Sequence, residues 1–310
     1  MNLISKLATI ALVAAVAGQA VAQDLYTSTS SLPDQGISVS AWGSGTIAET
    51  DEMAFEGSTS IRVSSRNFFQ GGIISFSTPI DLASATAESS NMLQLVLQAP
   101  DETVTLGGGA AGGGRGGRGG LGGLGGGGGL AGGGEEVASS IDAGLSTVRC
   151  IITTSDGKKS EVFFDLTSAL PDNKGWMRVG VPLVAIRGFS SSNKQITSLA
   201  FSGDTIGSFY LGSIHILNDT TPIWGEPNVR ELNLAFGDEF VFFASASAGA
   251  TSLRYTWDFD SSDGVDIDSE GRVVRRTFRV SGDFIVTLTI HDAYGLKEPY
   301  STIILVTVNP

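Results

Sequence analysis

Residues 64–72 place two adjacent aromatic side chains among polar ones, and Ser and Gly on both sides predict a loop. Flat aromatic rings contact the C–H faces of sugars, while amides and guanidinium groups hydrogen-bond sugar hydroxyls. In an extended chain neighbouring side chains point to opposite faces, so one ring would be buried and the other exposed. Packing in a core is the alternative for each aromatic residue. The candidate ligand-binding residues are Arg66, Asn67, Phe68, Phe69, Gln70 and Trp42.

An acidic stretch near residue 266 has the spacing of a cation site. Asp266, Asp268 and Glu270 stand at the first, third and fifth positions of a run whose sixth residue is glycine, as at the start of a calcium loop. The twelfth residue is threonine instead of a bidentate acid, so the run does not predict an EF-hand. Crowded carboxylates repel one another unless a cation compensates, so these three are the candidate ligands of a calcium ion. The alternative is a solvated acidic hairpin balanced by Arg272, Arg275 and Arg276.

The residue types needed for most catalytic centres are scarce. One cysteine and two histidines leave almost no way to build a Cys/His zinc site, a Cys–His nucleophilic pair or a disulfide framework. Cys150 lies in an apolar run that predicts burial. Residues 49–56 resemble the Glu-x-Asp-x-x-Glu strand of some jelly-roll glucanases, but the last glutamate comes too late, and an odd shift turns it to the other face. We therefore expect no catalytic residue and no enzyme.

Charge and targeting signals indicate an exported protein. The chain of 310 residues carries 32 acidic and 19 basic residues, a net charge of −13, which disfavours nucleic acid as a partner. Residues 1–22 are typical of a signal peptide, with Lys6, a short apolar run and a small-x-small site before Gln23. No later run reaches 18 apolar residues, so no membrane span is expected. The predicted location is secreted, extracellular or cell-surface.

Short apolar runs broken by turn residues predict an all-β fold. In the first unit, residues 23–217, nine strands indicate a jelly-roll sandwich. They are residues 37–42, 60–64, 72–77, 92–98, 147–153, 160–166, 176–182, 195–202 and 208–217. Residues 92–97 have only Gln94 as a polar member and predict a strand buried on both faces. A linker is predicted at 218–225, followed by a smaller sandwich at 226–310.

Glycine dominates one internal segment. Twenty of the 28 residues at 107–134 are glycine, so the segment has little apolar surface to bury and predicts a disordered insertion at about 100–140. Two arginines within it are typical of arginine-glycine RNA-binding segments, but two such residues in an acidic chain do not favour that function.

The second unit resembles the PKD domain, an immunoglobulin-like sandwich. The resemblance rests on the segment Tyr-Thr-Trp-Asp-Phe-Asp at 255–260, on Arg-Thr-Phe at 276–278, and on Gly-Asp-Phe-Ile-Val-Thr-Leu-Thr-Ile at 282–290. Arg276 replaces the usual histidine, and the turn after Phe259 is longer. The resemblance implies that Trp257 fills the core and that the unit is a non-catalytic extracellular spacer or adhesion module.

The first unit resembles the galactose-binding-like jelly rolls of carbohydrate-binding modules. The likeness rests on Phe-Glu-Gly-Ser-Thr-Ser-Ile-Arg-Val at 55–63, on residues 79–83 with 92–97, and on residues 174–183, 196–203 and 209–216. Where the family often has two acids that help to hold calcium, this chain has Gly212 and Ser213.

Together these observations predict a secreted, non-catalytic protein that binds polysaccharide through the loop around Phe68 and Phe69. Its partner would be a polysaccharide or another cell-surface component, and calcium is the one cofactor that the sequence indicates. One alternative is a structural adhesion protein of the cell surface or matrix, with the PKD-like unit as a spacer. The other is a divergent polysaccharide-acting enzyme.

Overall fold

The computed structural model describes residues 21–100, 144–260, 264 and 266–310, and in these residues the fold is all-β. Helical structure there is limited to 3₁₀ turns at Pro33–Gln35, Ala85–Ala87, Leu183–Ala185 and Phe189–Ser191. Most of the predicted signal peptide and nearly all of the predicted glycine-rich insertion lie outside the described residues. No helix in the described ranges has the length and apolar composition needed to cross a bilayer.

Eleven strands of the described N-terminal part form two sheets. They are β1 (Val21–Thr27), β2 (Ile37–Trp42), β3 (Thr46–Thr50), β4 (Ser60–Ser65), β5 (Gly71–Asp81), β6 (Asn91–Gln98), β7 (Thr147–Thr154), β8 (Lys159–Asp165), β9 (Met177–Pro182), β10 (Gln195–Gly203) and β11 (Gly207–Asn218). The first sheet, here the β11 sheet, has the order β3-β4-β11-β6-β9, with β1 also paired to β11. The second, here the β10 sheet, has the order β2-β5-β10-β7-β8.

Period-two alternation explains why these two sheets pack as a sandwich. In β8 every second residue is buried, and the inward residues Val162 and Phe164 meet Cys150 and Ile152 of the neighbouring strand in one core. Ile61 and Phe209 contribute to the same core from the β11 sheet. Seven of the eight residues of β6 are buried, which confirms the burial predicted for this strand.

The C-terminal strands form a second, smaller pair of sheets. They are β12 (Trp224–Pro227), β13 (Glu231–Ala235), β14 (Glu239–Ser247), β15 (Leu253–Asp258), β16 (Ser269–Glu270), β17 (Val273–Thr277), β18 (Gly282–Asp292) and β19 (Tyr300–Asn309). One sheet has the order β12-β14-β17, and the other, here the β18 sheet, has the order β13-β19-β18-β15-β16. Trp257 is fully buried between them, and its indole Nε1 donates to the carbonyl of Gly271 at 2.8 Å. The prediction that Trp257 fills this core is confirmed.

The segment that joins the two sandwiches is held by buried polar contacts. Asp219 follows β11, and its Oδ2 lies 2.9 Å from Nζ of Lys297 and accepts from the backbone N–H of Ala250 at 2.7 Å. Lys297 also donates to the carbonyls of Thr221 at 2.8 Å and Ala248 at 2.5 Å. Residues 224–225 of the predicted linker belong to β12, so the connection is shorter than the sequence predicted.

Candidate ligand-binding surface

The loop that carries the two adjacent phenylalanines joins β4 to β5. Asn67 and Gln70 form an isolated bridge, and Asn67 Oδ1 accepts from the backbone N–H of Phe69 at 2.8 Å. This side-chain bond mimics a backbone turn and places Phe68 and Phe69 at the tip. The loop ends at Gly71, the first residue of β5, where an added Cβ would lie 2.0 Å from the carbonyl oxygen of Phe201, so glycine permits a close approach to β10.

Phe68 is anchored to the outer side of the β10 sheet. Its carbonyl accepts from Ser202 Oγ at 2.9 Å and from the guanidinium of Arg149. Its half-buried ring contacts the ring of Phe163 edge to face, with centroids 5.7 Å apart and an interplanar angle of 89°. The loop tip is therefore fixed by two strands, β10 and β7, and by an aromatic contact with β8.

The rings of Phe69 and Trp42 both contact the guanidinium group of Arg149. The guanidinium carbon of Arg149 lies 5.0 Å from the centroid of the Phe69 ring and 5.8 Å from that of Trp42, within cation–π range. Arg149 also makes a close ion pair with Glu161, and only 12% of its side chain is exposed. The Phe69 side chain, by contrast, is 67% exposed, and Phe163 is 48% exposed. We call the set Trp42, Phe68, Phe69 and Phe163, with Arg149 among them, the aromatic surface.

The structure distributes the predicted polar partners unevenly. Arg66 and Asn67 are exposed beside the rings, but Asn67 already accepts from the backbone of the turn. Gln70 is half-buried and accepts from Ser44 Oγ. Arg66 is therefore the predicted polar residue best placed to reach outward, while Gln70 connects the loop to the turn after Trp42.

Sequence reasoning missed three members of this region, Arg149, Glu161 and Phe163. Their signal lies in strand alternation: Val148 and Cys150 point to the core, so Arg149 between them must point outward. Phe163 lies opposite Arg149 in the β7–β8 ladder, which brings the two side chains to the same outer face. The pairing of β7 with β8 was foreseeable, but the passage of the Phe68 loop over this face was not.

Two of the three predicted calcium ligands, Asp268 and Glu270, have separate partners in the structure. Asp268 Oδ2 accepts from the backbone N–H of Phe259 at 2.8 Å, and Glu270 Oε1 lies 3.5 Å from the guanidinium of Arg254. Asp266 is exposed. In the described part of the chain, no three His, Cys, Asp or Glu side chains form a group able to hold a metal ion. Calcium binding stays a prediction.

Other chemically interesting side chains occupy structural positions. Cys150 is completely buried, and burial raises the pKa of its thiol well above the usual range. His215 Nδ1 lies 2.7 Å from Asp24 Oδ1. Burial, and then the nearby charge of Arg254, lowers the pKa of His291, whose Nε2 lies 3.2 Å from Thr256 Oγ1. These contacts fit the structural roles expected from the sequence.

The C-terminal sandwich has the two sheets and the central buried tryptophan expected from the resemblance. Residues 227–308 match the family model of the PKD domain. This part of the chain is a PKD domain, as predicted. No curated protein matches the chain significantly. The expected likeness of the N-terminal sandwich to carbohydrate-binding modules therefore stays a prediction.

Solved structures give weak likenesses. One is a nucleoside hydrolase-related hypothetical protein from Saccharophagus degradans that is associated with carbohydrate metabolism (20% identity, 30% of this chain, 26% of that chain, TM-score 0.25). Another comprises fibronectin(III)-like modules of Clostridium thermocellum CbhA (9% identity, 53% of this chain, 78% of that chain, TM-score 0.24). A third is the extracellular domain of a putative hybrid two component system from B. thetaiotaomicron (9% identity, 53% of this chain, 26% of that chain, TM-score 0.24). This chain spans about a quarter of the first and third structures, and TM-scores of this size establish no shared fold.

Proposed function

We propose that this protein is a non-catalytic extracellular binding protein whose N-terminal sandwich binds polysaccharide at the aromatic surface. The observation that carries the proposal is that Phe69 and Phe163 are exposed beside a loop tip that contacts with β10 and β8 hold in place. Large exposed aromatic rings are unfavourable in water, and rings held in place lose little conformational freedom when they bind a ligand.

The mechanism uses each part of the surface differently. The rings of Phe69 and Phe163 contact the C–H faces of sugar units. Arg149 is a positioning residue, because its guanidinium contacts two rings and the Phe68 carbonyl and its charge is already paired with Glu161. Arg66 and Asn67 at the rim supply polar groups to the sugar hydroxyls. Glu161 compensates the charge of Arg149, and the net charge of the chain, −13, disfavours an anionic polymer, so we propose a neutral polymer as the ligand.

The presence of a PKD domain supports an extracellular, non-catalytic role for the protein, since such modules act as spacers or adhesion units. We propose that it holds the N-terminal sandwich away from the surface to which the protein attaches. Calcium at Asp266, Asp268 and Glu270 is a separate proposal, and it would stabilise the acidic turn of the PKD domain without contributing to the aromatic surface.

The proposal is tested by co-sedimentation with a panel of insoluble polysaccharides, in calcium and in EDTA. The wild-type protein should be retained on at least one neutral polymer, and the corresponding soluble oligosaccharide should release it. The variant F68A/F69A should lose this retention while its circular dichroism spectrum is unchanged. Because the proposed calcium site does not contribute to the aromatic surface, retention should be the same in EDTA, and a loss of retention in EDTA would show that polysaccharide binding itself needs calcium.

Three outcomes would contradict the proposal. Absence of retention on every polymer would overturn the polysaccharide ligand, and self-association without sugar would then favour the structural adhesion protein. Retention that F68A/F69A preserves would place the site elsewhere on the chain. Release of reducing sugars during the incubation would indicate the enzyme alternative.

A further inference from the structure

The outer face of the β18 sheet carries exposed apolar side chains that no described element covers. Ile285 of β18 lies opposite Leu305 of β19, and Ile303 lies opposite Thr287 in the next outward pair. The three apolar side chains are between 42% and 52% exposed. Their neighbours Val286 and Ile304 point inward to the core and are fully buried, so the alternation of both strands fixes these residues at the surface.

Two of these side chains, Ile285 and Leu305, line a groove, and Ile303 lies beside Leu305 on the same outward face. Its walls include Asp260, Asp283, Ile285, Leu305 and Thr307, and it is open to solvent, with a volume of about 490 Å³. Asp283 Oδ1 accepts from Thr307 Oγ1 at 2.8 Å, which fixes one end of the groove. A cluster of apolar side chains rimmed by polar groups is typical of a protein–protein contact site. We call this feature the apolar groove.

The charged side chains at the outward strand positions around the groove are acidic, while Arg230, directly before β13, is paired with Glu226 at 3.2 Å. Glu231 of β13 is the register partner of Leu305 on one side, and Asp260 lies on the other side. Asp283 is two residues before Ile285 on the same outward face. Within the described outward positions of β13, β18 and β19 that surround the groove, there is no lysine or arginine. Arg254 of β15 belongs to the far end of the sheet and lies 3.5 Å from Glu270.

The acidic rim favours a basic partner over a second copy of the chain. A second copy of the chain would bring the same acidic rim and a net charge of −13, so like charges would meet across the contact. A basic partner would place cations opposite Glu231 and Asp283 while its apolar side chains cover Ile285, Ile303 and Leu305. We propose that the apolar groove binds a polypeptide segment with apolar side chains flanked by lysine or arginine. This inference does not depend on the polysaccharide proposal.

The test uses the full chain with labelled isoleucine and leucine methyl groups, observed by NMR. The probe is a synthetic nine-residue peptide in which isoleucine alternates with threonine between terminal pairs of lysine. The methyl signals of Ile285, Ile303 and Leu305 should shift in a saturable way, and the affinity should fall as salt is added because the rim charges are screened. A peptide with glutamate in place of lysine should bind at least tenfold more weakly.

A matched pair of variants separates this contact from general attraction to an acidic protein. I285K should reduce the affinity for the lysine peptide at least tenfold. V273K makes a comparable change at an exposed apolar side chain of the other PKD sheet and should alter the affinity less than twofold. The side chains replaced are both partly exposed, so both variants should keep the wild-type circular dichroism spectrum.

Several results would overturn the inference. These are the absence of any shift, shifts spread evenly over the acidic surface, equal binding of the glutamate peptide, or an equal loss in V273K. Shifts of the three methyl groups that depend on protein concentration without peptide would assign the apolar groove to a second copy instead.

Discussion

Replacement of Lys297 by methionine should destabilise the protein strongly, because it leaves the buried Asp219 carboxylate without its cation. The side chain of Asp219 is 0% exposed and that of Lys297 is 10% exposed. Removing one partner of a buried ion pair destabilises a protein by about 3–5 kcal/mol. Asp219 would keep its bonds from the N–H groups of Ala250 and Thr221, so we expect about 3 kcal/mol, the lower end of that range.

The assay is urea denaturation followed by tryptophan fluorescence and far-UV circular dichroism. With a slope of about 1–3 kcal/mol per molar urea, a loss of ~3 kcal/mol lowers the midpoint by roughly 1–3 M. The matched control is K158M. Lys158 lies 4.0 Å from Asp156 with 52% of its side chain exposed, so its loss should cost less than about 1 kcal/mol. If K297M and K158M lowered the midpoint equally, the buried contact would not stabilise the connection between the two sandwiches.

Three further substitutions test other parts of the structure. Alanine at Gly212 would place its Cβ 2.4 Å from Cβ of Phe55, so G212A should lose about 1–3 kcal/mol in urea denaturation, whereas G144A, in open space, should lose less than about 0.5 kcal/mol. Burial raises the pKa of the Cys150 thiol, so the native state keeps the thiol proton at a pH where the unfolded chain releases it. The free energy of unfolding should therefore fall as the pH rises from about 8 to about 10. C150A should show a smaller fall over the same range, and an equal fall would contradict this cause. R149M should accelerate amide hydrogen exchange in the Phe68 loop more than tenfold, since a bond from a charged donor contributes about 1.5–3 kcal/mol, and unchanged exchange would remove Arg149 from its positioning role.

Strands with strong alternation could be predicted from the sequence, whereas weakly apolar strands could not. The predicted strand at 37–42 coincides with β2, and that at 147–153 differs from β7 by one residue. β3 was missed because its residues Thr-Ile-Ala-Glu-Thr carry little apolar signal. β12 was not predicted because Gly225 and Pro227 are typical of loops, and its first two residues fall within the predicted linker at 218–225. An added Cβ on Gly225 would lie 2.3 Å from Ile290 Cδ1, so the glycine allows this strand to pack closely on the core.

Only the part of the aromatic surface that is contiguous in the sequence could be predicted. Local composition predicted Phe68 and Phe69 as candidate ligand-binding residues, and the extended chain predicted one buried and one exposed ring, whereas the structure has Phe68 half-buried and Phe69 exposed. The cation between Phe69 and Trp42 comes from β7, about 80 residues later in the sequence, and depends on the loop crossing the outer face of the β10 sheet. Such a contact is tertiary, so neither periodicity nor composition contains it.

The most direct test of the aromatic surface is a depletion isotherm on the polysaccharide that retains the wild-type protein, compared with F69A and the control F236A. Phe236 is 57% exposed, against 67% for Phe69, in the turn after β13 of the PKD domain, so its replacement removes another largely exposed ring in a different domain. Covering one phenylalanine contributes about 1.5–3 kcal/mol, so F69A should weaken binding by roughly 10- to 150-fold. F236A should change the affinity less than twofold. Equal affinities for wild type and F69A would contradict the proposal that Phe69 contacts the ligand.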